Sequence, residues 1–395
     1  MDIINAKIIP MDGPEIENGY VRMENGRIRT VGPMAVYGSE ESDGSAEILD
    51  AQGGLLLPGF VDAHTHMGMW EDGLGFEGDD GNEDTDPSTP QLRAVDAVNP
   101  LDRCFREALE AGVTTVITGP GSANPIGGQL CAMKTYGRRM EDMVIKAPVA
   151  MKMALGENPK TTYHGKNQAP VTRMATAAII REQLSQAVRY RQDKLRAQGD
   201  EDTDEPEFDA KCEALLPVIT GELPVHFHAH RLDDIFTAQR IAREFDLDYV
   251  IVHGTQAHLA ADLMAAEHVR ILCGPLLCDR SKPELRDLTP ANPAILQKEG
   301  VEIALITDHP VIPEQYLPLC GGLAAREGLP YEEALKAMTI VPAKICGLDD
   351  RIGSITPGKD ADLVLFRNDP LTVAAKPVAV FAMGKTVLFT GQQGL

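Results

Sequence analysis

Histidines occur at alternating positions in two apolar stretches of this sequence. His64 and His66 close the stretch "LLLPGFVDAHTH", and His226, His228 and His230 alternate along "PVHFHAHR". Because successive side chains of a strand point to opposite faces, each set of histidines should share one face of its strand. Neutral imidazole is a good ligand for zinc and related divalent metals, so this spacing indicates a metal site.

Two later strand-like stretches end in residues of the same kind. "DYVIVHG" ends with His253, and "EIALITDHP" places Asp308 and His309 after an apolar run. Histidines on a solvated surface would not gather at strand ends in this way. A carboxylate beside a metal can accept the proton of a water molecule that the metal activates, so the set favours metal-dependent hydrolysis.

Lys152 stands in a further apolar stretch, "PVAMKMALGENPK". An unpaired ammonium group is costly to bury, so this lysine either pairs with a carboxylate, reaches solvent or loses its proton. Burial lowers the pKa of a lysine and so supplies a neutral amine, which is the form that reacts as a nucleophile.

The elements that must position these residues follow a regular alternation. From Val61 onward, apolar strands alternate with helical segments, for example "CFREALEAGV" before "TTVITG" and "TAQRIAREFDL" before "DYVIVHG". Such alternation is typical of a parallel sheet with helical crossovers. We therefore predict that residues 58–347 form an α/β fold, namely a (β/α)₈ TIM barrel. The site should lie at the carboxyl ends of its strands. The alternative is an open doubly wound sheet, but the sequence has no G-x-G-x-x-G turn to support it.

The two ends of the chain have a different, β-rich pattern. Residues 1–57 contain short β-branched runs with Asn25-Gly26 as a hairpin turn, and residues 348–395 end in a second turn-bounded hairpin. We expect the two ends to pair as one small β-sandwich domain beside the barrel.

Two polar segments interrupt the barrel pattern. The acidic segment 71–86 should form a loop above the metal site, as a solvated charge run rather than as a device that attracts a cationic substrate. Residues 181–209 should form an exposed polar excursion without a role in the chemistry.

Charge and cysteine content narrow the class of protein. The formal net charge is -22, which argues against binding to nucleic acid or to an anionic membrane, since either needs a basic face. No signal peptide pattern opens the sequence, and no apolar run approaches the length of a membrane helix. Seven cysteines without a C-x-x-C pair are typical of reduced thiols. We therefore expect a cytoplasmic protein.

Five motifs, taken in order, resemble one known family: "PGFVDAHTH", "HAH", "VHGT", "TDHP" and "GSITPGKDADLVLF". They are similar to the metal-dependent amidohydrolase superfamily, closest to its imidazolonepropionase and prolidase branch, over nearly the whole chain. The resemblance implies a (β/α)₈ barrel with a β-sandwich built from both chain ends. It also implies metal ligands on barrel strands one, five, six and eight, namely His64, His66, His228, His253 and Asp308.

The same resemblance gives Lys152 a specific role. In the prolidase branch, a lysine at the matching position is carboxylated by CO₂ to a carbamate that bridges two metals. Some members of the superfamily use a glutamate here, which leaves Glu157 as a competitor, and the imidazolonepropionase type works with one metal. The implied cofactor is therefore one or two divalent metals per chain, zinc first, with manganese, iron or cobalt as alternatives.

Other residues near the same strand ends are candidates for contact with a substrate. His230 is expected to meet the substrate and to stabilise an oxyanion, whereas His226 should be buried lower in the barrel. Weaker candidates for polar contacts are Glu157, Tyr163, His164, Arg173, Arg231, His258 and His309. The loop from Gly119 to Gln129 offers backbone N–H groups to an anion or a carbonyl.

From the resemblance we expect a hydrolase of the C–N bond in an amide, cyclic amide or dipeptide-like small molecule. Water activated by the metal would be the nucleophile, with Asp308 as general acid and base. Hydrolytic deamination of a heterocycle at a mononuclear site is the first alternative. A non-catalytic scaffold is the second, although such a relative would be expected to lose ligands that this sequence keeps. A homo-oligomer agrees with the habits of the family, but no sequence feature shows one.

Overall fold

Across residues 1–38, 47–200 and 202–390, the part of the chain that the computed structural model describes, sixteen strands form two sheets. The strands are β1 (Asp2–Ile8), β2 (Ile16–Glu24), β3 (Arg27–Pro33), β4 (Ile48–Asp50), β5 (Leu55–Pro58), β6 (Phe60–Thr65), β7 (Val113–Thr118), β8 (Ile126–Lys134), β9 (Val144–Ala154), β10 (Val225–Ala229), β11 (Tyr249–His253), β12 (Arg270–Cys273), β13 (Glu302–Leu305), β14 (Leu363–Phe366), β15 (Pro377–Ala382) and β16 (Lys385–Phe389).

Eleven α-helices accompany the strands within the same described residues. They are α1 (Arg103–Glu110), α2 (Met140–Met143), α3 (Glu157–His164), α4 (Arg173–Gly199), α5 (Ala210–Ile219), α6 (Leu232–Phe245), α7 (Ala261–Ala266), α8 (Asn292–Lys298), α9 (Leu317–Arg326), α10 (Tyr331–Lys336) and α11 (Ile340–Ile345). Side chains of Asp102, Thr172 and Asp209 accept backbone N–H bonds at the starts of α1, α4 and α5, which explains why these helices begin where they do. None of these helices is both long enough and apolar enough to cross a membrane.

Strands β6 to β13 form a TIM-barrel-like sheet in which each strand neighbours the next one in the chain. The backbone N–H of His66, just after β6, donates to the carbonyl of His309, just after β13, over 2.9 Å. This bond joins the first and last strands, so the barrel is nearly closed.

The barrel departs from the predicted repeat at one strand. Strand β8 runs antiparallel to both β7 and β9, whereas the other neighbouring strands are parallel. A parallel connection needs a crossover of about a dozen residues or more, and the segment 119–125 between β7 and β8 is too short for one. The prediction of eight equal strand–helix units is therefore wrong at β8, because a short loop permits only an antiparallel return.

The second sheet is built from both ends of the chain. Its order is β16-β15-β14-β5-β1-β2-β3, with β4 paired to β1, and the central pair β14 and β5 joins the two ends in antiparallel register. Asn25 and Gly26 have φ values of 52° and 81°, which is the hairpin turn that their sequence predicts. The two-layer sandwich and the domain limits 1–57, 58–347 and 348–395 stay predictions, and residues 391–395 of the last range lie outside the described residues.

A buried ion pair fastens this second sheet to the barrel. Lys134, the last residue of β8, is buried, and its Nζ lies 3.0 Å from Asp360 and in hydrogen-bond contact with Asp362. Asp362 in turn accepts the backbone N–H of Met383 over 2.8 Å. The "GKDAD" motif thus has a structural role, because its two aspartates hold a barrel lysine.

Helix α4 corrects the expectation for residues 181–209. Ile180, Leu184 and Ala187 are buried in the main hydrophobic core, so the first half of the helix packs on the protein. Their spacing places them on one helix face, a signal that the many charged residues around them obscure. The end of the segment agrees better with the expectation, since Leu195 and Phe208 are exposed. Residue 201 lies outside the described part.

Candidate metal centre

The carboxyl ends of five barrel strands bring the predicted ligands together. His64 lies in β6, Lys152 in β9, His228 in β10 and His253 at the end of β11, and their side chains are buried. Parallel pairing aligns these ends, since Ala229 of β10 pairs with His253 of β11. His66 and Asp308 follow β6 and β13 directly, at the same edge of the sheet.

One group of side chains surrounds Asp308. Its Oδ1 lies 3.3 Å from Nε2 of His66 and 3.6 Å from Nε2 of His64. The Nζ of Lys152 lies 2.8 Å from the same His64 nitrogen. Two imidazoles, a carboxylate and a lysine therefore converge on one small volume.

A second group lies beside the first and contains His228, His230 and His253. The Nε2 of His253 is 2.9 Å from Nδ1 of His228, and the rings of His230 and His253 stack with centroids 4.3 Å apart. His226, in register with Lys152 and fully buried, lies lower on the same strand, as expected.

The two groups meet at His253. Ligand atoms of His64, His253 and Asp308 lie within 4.8 Å of one another, and those of His228, His230 and His253 do likewise. Imidazole nitrogens with a carboxylate are a donor set that suits zinc and neighbouring divalent metals. The residues present therefore fit one metal ion, or two that lie side by side.

Backbone carbonyls set the tautomers of two histidines. The Nδ1 of His66 lies 2.7 Å from the Gly119 carbonyl oxygen, and the Nδ1 of His253 lies 2.8 Å from that of Gly274. Because a carbonyl oxygen only accepts hydrogen bonds, Nδ1 is the protonated nitrogen in each ring. The lone pair is then on Nε2, the nitrogen that faces the cluster, as a metal ligand requires.

Burial keeps the imidazoles neutral, which metal binding also requires. It lowers the pKa of His64 and His228 well below the usual range and lowers that of His253 to about 4. Burial raises the pKa of the Asp308 carboxyl, but the neighbouring side chains of His253, His66 and Lys152 outweigh it, so this pKa lies well below its usual range. At neutral pH the site therefore presents His64, His228 and His253 as neutral imidazoles beside the ionised Asp308 carboxylate.

Lys152 and Glu157 differ in their surroundings. Burial lowers the pKa of Lys152 to about 7, with a partly opposing effect of Asp308, so much of this amine is neutral near neutral pH. The Glu157 carboxylate instead accepts the backbone N–H of Glu284 over 3.4 Å and lies at the start of α3. The geometry therefore favours Lys152 over Glu157 as the residue that joins the histidines.

Asp62, in the motif "PGFVDAHTH", connects two of the strand ends that carry the site. Asp62 accepts the backbone N–H of His64 over 2.9 Å and both the N–H and the hydroxyl of Thr307, over 2.7 and 2.8 Å. It thus links the first barrel strand to the residue before Asp308. The backbone of His253 and Asp308 is left-handed, with φ of 76° and 55°, a strained conformation for residues other than glycine that the surrounding structure must hold.

A cavity of about 800 Å³ opens onto the cluster and contains only some of the predicted substrate contacts. Glu157, His228, His230 and Asp308 line it. His164, Arg173 and Arg231 line an adjoining pocket of about 450 Å³, which shares Glu157 with the first.

The remaining candidates have other contacts. The Tyr163 hydroxyl donates to Asn124 over 2.6 Å, the His309 ring accepts the backbone N–H of Glu314 over 3.1 Å, and the His258 backbone N–H donates to Asn292 over 3.2 Å. In the described residues, these three side chains are not part of the cavity wall, so a role in substrate binding finds no support there.

Several cavity residues carry no signal in the sequence. Lys282 lies in the segment after β12, Asn158 follows Glu157 on α3, and Ser122 lies between β7 and β8, while Glu284 lines the adjoining pocket behind Lys282. Glu284 is almost fully buried, and its Oε1 lies 3.8 Å from His228 Nε2 and 3.7 Å from His230 Nε2. Only the general rule that loops at the carboxyl ends of barrel strands form the site points toward these residues.

The acidic segment 71–86 reaches the cavity through Asn82, and two of its carboxylates pair with lysines instead of facing the cavity. Trp70 and Asn82 line the cavity, and the Trp70 ring lies against that of His66 with centroids 4.8 Å apart. Asp84 and Asp86 pair with Lys166 and Lys211, over 2.5 and 2.6 Å. These pairs agree with a solvated charge run rather than with a field that attracts a cation.

Comparisons with known proteins place the chain in one family. The family model described as the amidohydrolase family matches residues 55–387. The amidohydrolase tasK of Hapsidospora irregularis is 33% identical over 390 residues, which cover 93% of this chain but 39% of that protein. The imidazolonepropionase of Rhizobium rhizogenes is 25% identical over 403 residues, which cover 92% of this chain and 90% of that protein.

A solved structure agrees with these matches. The crystal structure of an amidohydrolase from Thermotoga maritima MSB8 superimposes with a TM-score of 0.93 at 43% identity, covering 98% of this chain and 99% of that one. The fold of the whole described chain is thus that of an amidohydrolase.

Proposed function

The chain belongs to the amidohydrolase family, and on this premise we propose that it hydrolyses a C–N bond of a small molecule at a centre of two divalent metals, zinc first among them. One observation carries the proposal. Two potential ligand groups share His253, and the buried amine of Lys152, on the strand next to that of His228, lies 2.8 Å from His64.

The residues divide between the two metals by position. His64, His66 and Asp308 would hold the first, and His228 and His253 would hold the second. Lys152 would contribute to both after its neutral amine adds to CO₂, forming an N–C bond and releasing one proton, so that the resulting carbamate offers two oxygens. Bound divalent metal lowers the pKa of water toward about 7 and polarises a carbonyl group.

The chain's own residues move the proton and hold the substrate. The Asp308 carboxylate, ionised and partly exposed to the cavity, accepts the proton of the attacking water and delivers it to the leaving nitrogen. The Thr255 hydroxyl lies 2.7 Å from Nδ1 of His230; if it donates there, the other ring nitrogen carries a proton toward the cavity. His230 would then donate a hydrogen bond to the oxygen that gains charge.

The cavity defines the size of the substrate. A volume of about 800 Å³ suits a small molecule, and we expect an N-acyl amino acid, a dipeptide or a cyclic amide. A cytoplasmic location and a homo-oligomer stay predictions from the sequence.

The experiment that tests this function is a hydrolysis screen. Protein reconstituted with zinc and bicarbonate is incubated with N-acyl amino acids, dipeptides and cyclic amides, and release of amine or ring opening is followed. We expect turnover of at least one class, and its loss when a chelator removes the metal. Turnover that continues without metal, or release of ammonia from aminated heterocycles alone, would reject C–N hydrolysis of this kind.

A further inference from the structure

Lys282 has the setting of a substrate anchor. Within the described residues, it is the only lysine or arginine that lines the cavity above the metal centre, whose other charged lining residues are Glu157, Asp279 and Asp308. Its side chain is 27% exposed, so the ammonium group is reachable from the cavity.

Two neighbours hold this ammonium group in place. Lys282 Nζ lies 2.8 Å from Oε1 of Glu284 and donates to the side-chain oxygen of Asn158 over 2.9 Å. An ammonium group has three N–H donors, so one remains for a ligand. Because Glu284 is almost fully buried, a molecule in the cavity meets the lysine and not the carboxylate behind it.

The same network fixes the distance from the metal centre. The Glu284 oxygen that holds Lys282 also lies 3.8 Å from His228 and 3.7 Å from His230. The ammonium group of Lys282 is therefore connected to these two histidines through a single carboxylate oxygen, that of Glu284.

A second donor lies next to the lysine. The Asn158 amide donates to Oγ of Ser122 over 2.7 Å. Since this oxygen accepts from Asn158, the hydroxyl proton of Ser122 is free to donate toward the cavity that Ser122 lines. A lysine ammonium and a serine hydroxyl, both tied to Asn158, form a pair of donors suited to a carboxylate.

We propose that Lys282, with Ser122, binds a carboxylate of the substrate, so that the substrate class is an amide of an α-amino acid with its carboxylate free. This inference rests on the proposed function, because it presumes a C–N bond held at the metal centre. In an N-acyl α-amino acid a single carbon separates the carboxylate from the scissile nitrogen. A carboxylate anchored beside His228 and His230 therefore places that bond near the metals.

The test compares two probes that differ only in charge, N-benzoylglycine and N-benzoylglycinamide. Their dissociation constants are measured by calorimetry on zinc-loaded wild-type protein and on the Lys282→Met and Lys282→Arg variants. Loss of a charge-assisted hydrogen bond corresponds to about 10-fold to 100-fold in affinity. We expect wild type to prefer the carboxylate by at least about 10-fold, Lys282→Met to lose that preference, and Lys282→Arg to keep part of it.

Lys160→Met is the matched control, because Lys160 lines the adjoining pocket rather than this cavity. It should keep the wild-type preference. Wild-type protein that binds both probes equally, or binds neither, overturns the proposal. So does a Lys282→Met variant that still prefers the carboxylate, since the metals would then be the anchor. If Lys282→Met fails to fold, Lys282→Gln takes its place, with the same expected loss of preference and the same contradicting result.

The hydrolysis screen separates this inference from the proposed function. If the protein cleaves neutral amides and shows no preference for the carboxylate, the anchor is rejected and the hydrolase function stands. If the protein prefers the carboxylate through Lys282 but cleaves no C–N bond, the anchor stands and the proposed hydrolase function is rejected.

Discussion

At the residue scale, the chemistry depends on which groups carry a proton. The carbonyls of Gly119 and Gly274 leave the Nε2 lone pairs of His66 and His253 facing the cluster. The surrounding imidazoles hold the Asp308 carboxyl in its ionised form. A single ionised carboxylate among neutral imidazoles is suited to accept a proton from water and to pass it on.

Replacing Asp308 by asparagine tests this role. Asparagine keeps an oxygen that can contact a metal but cannot accept the proton, so we expect kcat to fall by about 10² to 10⁴ while the zinc content stays near that of wild type. Asp279→Asn is the control, because Asp279 lines the same cavity at an exposed position. A near-normal kcat for Asp308→Asn would remove the proposed proton path.

Lys152 predicts a pH dependence of stability in the metal-free protein. Its pKa is about 7 in the folded chain and near 10.5 when unfolded, so between these values only the unfolded chain binds the proton. The melting temperature of wild type should therefore rise with pH, relative to Lys152→Met, across pH 7 to 10.5. Thermal unfolding at several pH values measures this, with Lys146→Met, an exposed position on the same strand, as control. A difference that does not change with pH would place Lys152 in a solvated setting.

The residues that gather at the candidate metal centre were named from the sequence, whereas the rest of the cavity was not. The two-residue period of a strand is enough to predict that histidines at alternating positions share one face and lie near a carboxylate that follows an apolar run. Lys282 and Ser122 lie on loops, whose conformation depends on contacts that no local pattern encodes. The same limit applies to Tyr163 and His258, which are near the site in sequence but outside the cavity wall.

At the element scale, the loops after the barrel strands orient the ligands. Gly274, after β12, approaches Ile306 so closely that an added Cβ would lie 2.2 Å from the Ile306 carbonyl oxygen. Its own carbonyl oxygen accepts a hydrogen bond from the ring Nδ1–H of His253. Glycine at position 274 therefore allows the ends of β12 and β13 to approach each other, while its carbonyl group orients His253 on β11.

Gly274→Ala should weaken metal binding without touching a ligand. The new methyl group must displace the backbone, and with it the carbonyl that orients His253. Loss of such an orienting contact typically costs about 10-fold to 100-fold in metal affinity. Zinc affinity measured by competition with a chelator tests this, against Gly199→Ala, where an added Cβ has no atom within 4 Å. Equal zinc affinity in both variants would contradict the orienting role.

Strand β8 shows what an alternation of strands and helices cannot predict. The apolar pattern of β7, β8 and β9 identifies three strands, but direction depends on whether the connecting segment can hold a crossover. The segment 119–125 is too short for a crossover, and this length was the one signal in the sequence that β8 runs antiparallel to β7. The antiparallel strand then presents Lys134 to the "GKDAD" motif.

Lys134→Met should strongly destabilise the protein. Removing the lysine leaves Asp360 and Asp362 buried without this partner, which typically costs about 3 to 5 kcal/mol. Lys336→Met is the control, because it removes a lysine from a surface pair with Glu333, and such a pair contributes about 0 to 1 kcal/mol. Urea unfolding measures both variants. A loss for Lys134→Met no larger than that of the control would show that the buried pair adds little.

At the scale of the whole molecule, the two chain ends pair with each other in the second sheet. Strand β14 joins β5, and β5 leads directly into β6, which carries His64. The carboxyl-terminal strands therefore connect to the first ligand strand through β5, which pairs with β14 in one sheet and precedes β6 of the other sheet in the chain. Composition predicted β structure at both ends, but only long-range pairing could show which strands meet.

The metal content of the protein tests the central claim most directly. Protein reconstituted with zinc and bicarbonate and then dialysed is analysed for zinc per chain, alongside Lys152→Met. We predict about two zinc ions per chain in wild type and a clear loss in the variant, since the carbamate can no longer bridge. One zinc per chain in both proteins would contradict the bridged centre and favour a mononuclear site, and no bound zinc would contradict the metal centre itself.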